Sequence, residues 1–321
     1  MSPTPPIGVL VMAHGTPDSP EEIEAFYTRI RRGRPPTPEL LDELTGRYEA
    51  IGGTSPLTGR TRAQVAGVAD ALEAVAPGRF VVRLGTKYVQ PTIEEGMAEL
   101  VAEGVTDVVG IVLTPHQSTM GSGEYFARAE AAAAAAPRPV RLTVVPSWHR
   151  SGPFPRILAE RTRRVLDDLD PSVRSRTAVF FTAHSLPQRV VAEGDPYPDQ
   201  VAESGADIAR LLDLDADPSV TWGTAWQSAG RTADPWIGPD LLLEMDRVAA
   251  EGATAVVVCP VGFVSDHLEV LYDLDIEALD RADALGIAFA RTPSLNDDPA
   301  FLAMLADVVV TAADGAAAEA P

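Results

Sequence analysis

The chain has 321 residues, 45% of them hydrophobic and 22% charged, and its 46 acidic against 26 basic side chains give a formal net charge of −20. That length allows two domains of ordinary size, each burying its own core, while the acidic balance excludes a general nucleic-acid binder, which needs a basic stripe for phosphates. The lone cysteine, Cys259, excludes an internal disulfide and a cysteine-held iron–sulfur cluster.

In chain order, the first element is an apolar strand at 7–12, ending in Ala13-His14. Helices follow at 20–31, 38–51 and 60–75, the first closing on the cluster Arg29, Arg31, Arg32 and Arg34. Basic residues are almost all arginine, Lys87 being the one lysine, so an anionic small molecule would meet this local positive patch. A strand at 80–84, a helix at 93–103, a strand at 107–113, a helix at 124–136 and a strand at 140–145 complete the first half. Pro146, Gly152 and Pro153 then punctuate the chain.

The second half repeats the alternation, with strands at 178–182, 220–225, 255–259 and 287–290, and helices at 155–169, 198–212 and 240–251. A last helix at 299–311 is expected to pack back on the first domain, and the Ala-rich residues 312–321 are expected to be disordered. Residues 1–6 lack the basic start and long apolar segment of a secretory signal, and no apolar run approaches the ~20 residues needed to span a bilayer. A cytoplasmic protein without a transmembrane segment is expected.

Alternating strands and helices specify an α/β fold with parallel sheets. The halves also echo each other: Val9-Leu-Val-Met-Ala-His-Gly-Thr-Pro parallels Val179-Phe-Phe-Thr-Ala-His-Ser-Leu-Pro, and Ala102-Glu-Gly-Val-Thr parallels Ala250-Glu-Gly-Ala-Thr. The expected architecture is therefore two doubly wound domains related by internal duplication, 1–146 and 147–298, each with a four-stranded parallel sheet flanked by helices. Such a pair makes a cleft, with His14 and His184 as equivalent strand-end residues facing it.

Two motifs carry chemistry. The stretch Pro260-Val-Gly-Phe-Val-Ser-Asp-His-Leu-Glu-Val-Leu-Tyr-Asp follows a strand and opens a helix with Glu269, Asp273 and Glu277 at i, i+4 and i+8. On an α-helix these acids share one face, ~6 Å apart, and could hand a divalent cation along; an amphipathic helix with solvated acids has the same spacing. The other motif is the strand ending at His184. Ligands of open parallel sheets bind at the carboxyl ends of strands, although a hydrogen-bonded strand-end histidine is the plain alternative. Imidazole and carboxylate together suit a borderline divalent metal such as Fe²⁺.

Taken with Met12-Ala-His-Gly-Thr-Pro, Tyr27-Thr-Arg-Ile-Arg-Arg-Gly-Arg, Arg47-Tyr-Glu-Ala-Ile-Gly-Gly-Thr-Ser-Pro-Leu, Gly194-Asp-Pro-Tyr-Pro-Asp-Gln, Ala225-Trp-Gln-Ser and Asp234-Pro-Trp-Ile-Gly-Pro-Asp, these stretches resemble the ferrochelatase family from about Val9 to Val309. The likeness is greatest to the Gram-positive type that acts on coproporphyrin III. It implies two Rossmann-like, chelatase-type domains holding a porphyrin, with Fe²⁺ inserted as substrate metal to give coprohaem in haem biosynthesis. His184 and Glu269 are implied on the metal-entry side as proton acceptors and transient ligands, and Asp273 and Glu277 as a delivery row. Arg31, Arg47, Ser55 and Tyr125 are implied as propionate holders, with Arg32, Tyr27 and Ser228 as weaker candidates.

One departure stands out: close relatives carry tyrosine where this chain has His14, implied as an opposite-face axial ligand to iron. No organic cofactor is expected, nor an iron–sulfur cluster on one cysteine; a monomer is expected because no edge-strand or coiled-coil signal appears, with transient contact with neighbouring haem-pathway enzymes. The alternatives are a protoporphyrin IX ferrochelatase, a cobalt or nickel chelatase for sirohydrochlorin, and a haem or porphyrin carrier. A carrier has no need of a proton acceptor or an acidic row, and a nucleotide enzyme is disfavoured because neither GxxxxGK[ST] nor a proper GxGxxG after the first strand is present.

Overall fold

The structure is a computed structural model that describes residues 5–230 and 234–318. The chain divides into two compact units, one of Met1–Pro115, Thr119–Trp148 and Asn296–Pro321, the other of His116–Ser118 and His149–Leu295.

The first unit is built on β1 (Ile7–Ala13), β2 (Phe80–Thr86), β3 (Asp107–Val112) and β4 (Arg141–Val145), all parallel, in the order β2-β1-β3-β4. Its helices are α1 (Ile23–Ile30), α2 (Pro38–Ala50), α3 (Leu57–Val75), α4 (Ile93–Ala102) and α5 (Ser122–Ala134). β1 is central and covered on both faces, so its residues form an unbroken buried run from Gly8 to Ala13 rather than an alternation. One face carries Leu10 and Met12 against Ile93, Met97 and Leu100 of α4 and Phe126 and Ala129 of α5. A capping box at Thr92 and Glu95 fixes where α4 starts.

The second unit repeats the plan with β5 (Thr177–His184), β6 (Val220–Gln227), β7 (Ala255–Cys259) and β8 (Ala288–Arg291), again parallel, in the order β6-β5-β7-β8. Its helices begin with α6 (Pro153–Asp168), α7 (Arg189–Ala192), α8 (Tyr197–Leu212) and α9 (Leu241–Ala250), and continue with α10 (Leu268–Leu271) and α11 (Leu279–Leu285). The two sheets share one strand order, so the duplication read from short motifs extends to topology. Every strand expected from the sequence is present.

Three details depart from the expectations. The acidic helix is not a continuous α-helix: a π-helical segment, Asp273–Ala278, separates α10 from α11, and Glu277 N–H reaches back five residues to Tyr272 O at 3.0 Å. The last helix, α12 (Pro299–Ala318), continues past Thr311 through residues expected to be disordered, because an alanine-rich run sustains helix once it is started; residues 319–321 lie outside the described ones. At 20 residues, and with an 18-residue stretch of mean hydropathy 1.6, α12 is also long and apolar enough to cross a membrane by length and composition, contrary to the expectation that no run approaches that size. In this structure it packs on α3 and β4 of the first unit and buries Phe301, Leu302, Leu305 and Val309. Gly67 on α3 is what admits Leu302, whose Cδ1 would lie 2.2 Å from any Cβ at that position.

Candidate functional site

In the second unit, the buried run of β5 ends at His184, the first residue of the strand to reach the surface. The imidazole Nδ1–H donates to the carbonyl of the next residue, Ser185, which leaves Nε2 pointing 3.4 Å from Glu269 Oε1. Each of these two side chains keeps about a third of its surface exposed (33% and 35%), so the pair is accessible as well as anchored. Behind it, the buried phenol of Tyr197 donates to His184 O at 3.0 Å. The Trp236 ring lies beside the imidazole, 6.5 Å between centroids.

Glu269 is placed by a cap. His267 precedes α10 in extended conformation, and its Nδ1 accepts from Glu269 N–H at 3.1 Å and Val270 N–H at 3.4 Å, the service an N-cap oxygen normally provides. The chain can approach β5 this closely because residue 262 is glycine: a Cβ there would stand 2.5 Å from Ala183 Cβ and 2.9 Å from its Cα, while Gly262 N–H bonds to Thr182 O at 3.0 Å. The turn that leads to Glu269 is thereby pressed against the strand that ends in His184.

The electrostatics follow from this geometry. Burial opposes a charged imidazole and is the largest single influence on His184, but the Glu269 carboxylate, the hydrogen bonds to Glu269 and the Ser185 carbonyl, and Asp273 together outweigh it and raise the histidine to about 9. At neutral pH the pair is an imidazolium beside a carboxylate. It holds a proton that any metal ion bound at Nε2 must displace.

The rest of the acidic row is divided. Asp273, 6% exposed, is inside and accepts a hydrogen bond from the Ser228 hydroxyl, Ser228 itself standing at a left-handed φ of 59°. Glu277 is exposed, one wide π turn farther on. Among the described residues, no group of three or more His, Cys, Asp or Glu side chains converges as a closed metal cage. What the second unit offers is an open two-residue pair and two further acids at different depths.

In the first unit, His14 follows β1 as His184 ends β5 and makes the same local contact: its Nδ1–H donates to the carbonyl of the next residue, Gly15, at 2.9 Å. Its ring lies edge-on to Tyr88 at 4.8 Å and Phe26 at 6.0 Å. Arg31, just beyond α1, sits over the Tyr27 ring at 5.6 Å, and its Nε is buried with no hydrogen-bond partner among the described residues. Arg47 is on the last turn of α2. Ser55 is buried and its Oγ accepts from Leu57 N–H at 3.3 Å. Tyr125 is buried beneath the Lys87 ammonium, 5.2 Å from its ring centroid, and burial drives its phenol to ionise less readily than usual. Arg32 points outward, 83% exposed, paired with Glu124 at 3.2 Å. The open concavities along Thr106–Asp107 and 133–141 lie at the amino ends of β3 and β4 and contain none of these residues.

Sequence reading missed Tyr197, His267 and Gln227, whose side-chain amide donates to Glu269 O at 3.1 Å, as parts of the site. All three sit within motifs of the family resemblance, at 194–200, 260–273 and 225–228. Their roles depend on which backbone atoms they meet, which a motif does not state.

Two doubly wound units with one strand order, β2-β1-β3-β4 and β6-β5-β7-β8, define a chelatase-like fold. Solved structures agree on the fold: SirB from Bacillus subtilis with Fe³⁺ matches with a TM-score of 0.59 at 13% identity over 98% of each chain. The sirohydrochlorin chelatase SirB with cobalt matches with 0.52 at 13% identity, again over 98% of each chain. The ferrochelatase family model matches residues 6–313. A ferrochelatase of Herpetosiphon aurantiacus is 41% identical over 94% of this chain and 97% of its own. The coproporphyrin III ferrochelatases of Anoxybacillus flavithermus and Bacillus pumilus are each 40% identical, over 95% of both chains and over 96% and 97% respectively. The chain belongs to the ferrochelatase family. It is thus a porphyrin metal chelatase, and the carrier and sirohydrochlorin alternatives fall away.

Proposed function

We propose that this ferrochelatase inserts Fe²⁺ into coproporphyrin III, exchanging the two pyrrole N–H protons for the metal and releasing them. The observation that carries the metal-side reading is the His184–Glu269 pair, with Nε2 and Oε1 3.4 Å apart and both side chains part-exposed. The carboxylate-rich substrate is favoured by Arg31, a guanidinium whose Nε is buried without a described partner and whose planar fork matches a carboxylate. The similarity to the coproporphyrin III ferrochelatases of Anoxybacillus flavithermus and Bacillus pumilus points the same way.

In this reading Arg31, Arg47, Ser55 and Tyr125 hold propionates, with Tyr27 and Arg32 at the margin. Binding energy from those remote groups is spent on bending the macrocycle, a strain of ~1–5 kcal/mol that turns nitrogen lone pairs toward the entering metal. His184 is charged at neutral pH, so Fe²⁺ first displaces its proton and is then held by Nε2 and the Glu269 carboxylate. As the metal passes to the pyrrole nitrogens, the vacated imidazole and carboxylate take the leaving protons. His184 is a proton acceptor in this order of events only after the metal has arrived. Asp273 and Glu277 supply weak oxygen ligands that let the cation move on, where a thiolate cage would trap it. No organic cofactor and no iron–sulfur cluster take part.

His14 acts on the product. Its Nδ1–H is donated to Gly15 O, so in the neutral imidazole Nε2 is the nitrogen that ligates iron. The test is an anaerobic assay offering Fe²⁺ with coproporphyrin III and with protoporphyrin IX in parallel, followed by absorbance. Coproporphyrin III is expected to be metallated with the higher kcat/KM; preference for protoporphyrin IX overturns the substrate assignment.

A further inference from the structure

Gln227 is the last residue of β6 and is 4% exposed, too deep to meet a substrate. A buried primary amide is costly unless both ends are hydrogen-bonded, and both are. Its Oε1 accepts from the hydroxyl of Thr182, itself fully buried, at 2.9 Å, and its Nε2 donates to the backbone carbonyl of Glu269 at 3.1 Å. A carbonyl can only accept, which fixes the orientation of the amide. The main chain of Gln227 makes the complementary link: it pairs with His184 in the parallel register of β5 and β6, and its carbonyl accepts from Ser185 N–H at 2.8 Å.

One side chain therefore joins the strand that ends in His184 to the turn that begins with Glu269. That turn has little rigidity of its own. α10 is four residues long and gives way at once to a π-helical segment, so its placement depends on anchors from outside the helix. The His267 cap holds its amide groups; Gln227 holds the carbonyl of the functional residue itself.

We infer that Gln227 is a positioning residue for iron insertion, its amide setting the distance between the His184 imidazole and the Glu269 carboxylate. This rests on the reading of that pair as the metal-side site. An error of ~1 Å in placing a reacting group can cost on the order of 100-fold, whereas porphyrin anchoring, assigned to other residues, is untouched.

The experiment compares Gln227→Met, which keeps length and loses both hydrogen bonds, and Gln227→Glu, which cannot donate to the Glu269 carbonyl in its ionised form, with Ser204→Ala. Ser204 is a buried hydroxyl of the same unit, bonded to His116 at 2.8 Å and outside the site. Melting temperature, kcat, and KM for coproporphyrin III and for Fe²⁺ are measured on each full-length variant. Both Gln227 variants are expected to lose about 10–100-fold in kcat with porphyrin KM within about twofold, and Ser204→Ala to keep kcat at a similar loss of stability. Wild-type kcat in folded Gln227→Met, or a loss no greater than that of Ser204→Ala, overturns the inference. Should Gln227→Met fail to fold, Thr182 decides: Thr182→Ser keeps the hydroxyl and is expected to keep kcat, Thr182→Val to lower it, and equal rates for the two contradict the role. A wild-type enzyme without insertion activity removes the functional reading instead, a result distinct from any of these.

Discussion

The imidazole of His184 and the carboxylate of Glu269, 85 positions apart in the sequence, meet at 3.4 Å because Gly262 lets the turn before α10 lie directly on β5. Their meeting also fixes the charge on the histidine, and the testable consequences start there.

Metal affinity should depend on pH. His184 is raised to about 9 from an ordinary 6.5, so its proton competes with the metal throughout the neutral range, and the competition fades as pH rises toward 9. The KM for a divalent substrate metal, read with Zn²⁺ from pH 6.5 to 8.5, is expected to fall as pH rises, with porphyrin KM nearly constant. The same shift contributes to folding with a defined sign. A raised histidine stabilises fully below its unfolded value of 6.5, and that contribution is lost as pH climbs through about 9. Glu269→Gln should remove both effects.

Acid should weaken the second unit before carboxylate titration is complete. His116 is buried, and desolvation, with a smaller push from His149, lowers it to about 3, so the unfolded chain takes up a proton below 6.5 that the folded chain refuses. Glu203, held down to about 2 by hydrogen bonds from Arg150 and His149, adds a second loss from 4.5 downward. Melting temperature is expected to drop progressively between pH 6.5 and 3. His116→Gln should flatten the upper part of that decline.

Asp273 and Glu277 should matter to metal concentration more than to limiting rate. Asp273→Asn and Glu277→Gln are expected to raise KM for Fe²⁺ several-fold, on the order of 10-fold for the buried Asp273, with kcat within about threefold. Unchanged metal dependence in both variants would remove the delivery role.

His14 should mark the product. Ferric coprohaem bound to the wild type is expected to show the absorbance and electron paramagnetic resonance of imidazole ligation, and His14→Tyr to shift these to a phenolate-type spectrum with faster release. Identical spectra for the two proteins would place His14 away from the iron.

Much of the fold was legible because apolar runs of four to eight residues bounded by Gly and Pro allow few alternatives in an α/β chain. The strand ending in Phe181-Thr-Ala-His is such a run, and the repeated Ala-His followed by Pro gave the duplication. The π-helical break was not legible, since acids at i, i+4 and i+8 have the same spacing in the sequence whether the turn is regular or widened. The extent of α12 was misjudged because alanine-rich composition reads as low complexity as easily as helix. His116–Ser118 groups with the second unit through bonds to Ser204, Gln200 and Asp195, partners about 80 positions away that no local pattern announces. Gln227 was hidden for the same reason: its motif was visible, but the two atoms it joins come from strands and turns that only the folded register brings together.

The most direct measurement is the initial rate of anaerobic Fe²⁺ insertion into coproporphyrin III by wild type, His184→Ala and Glu269→Gln, each shown by circular dichroism to be folded. Loss of ~10²–10⁴-fold in kcat for both variants is the expected result. Insertion at the wild-type rate by both folded variants would contradict the assignment of this pair.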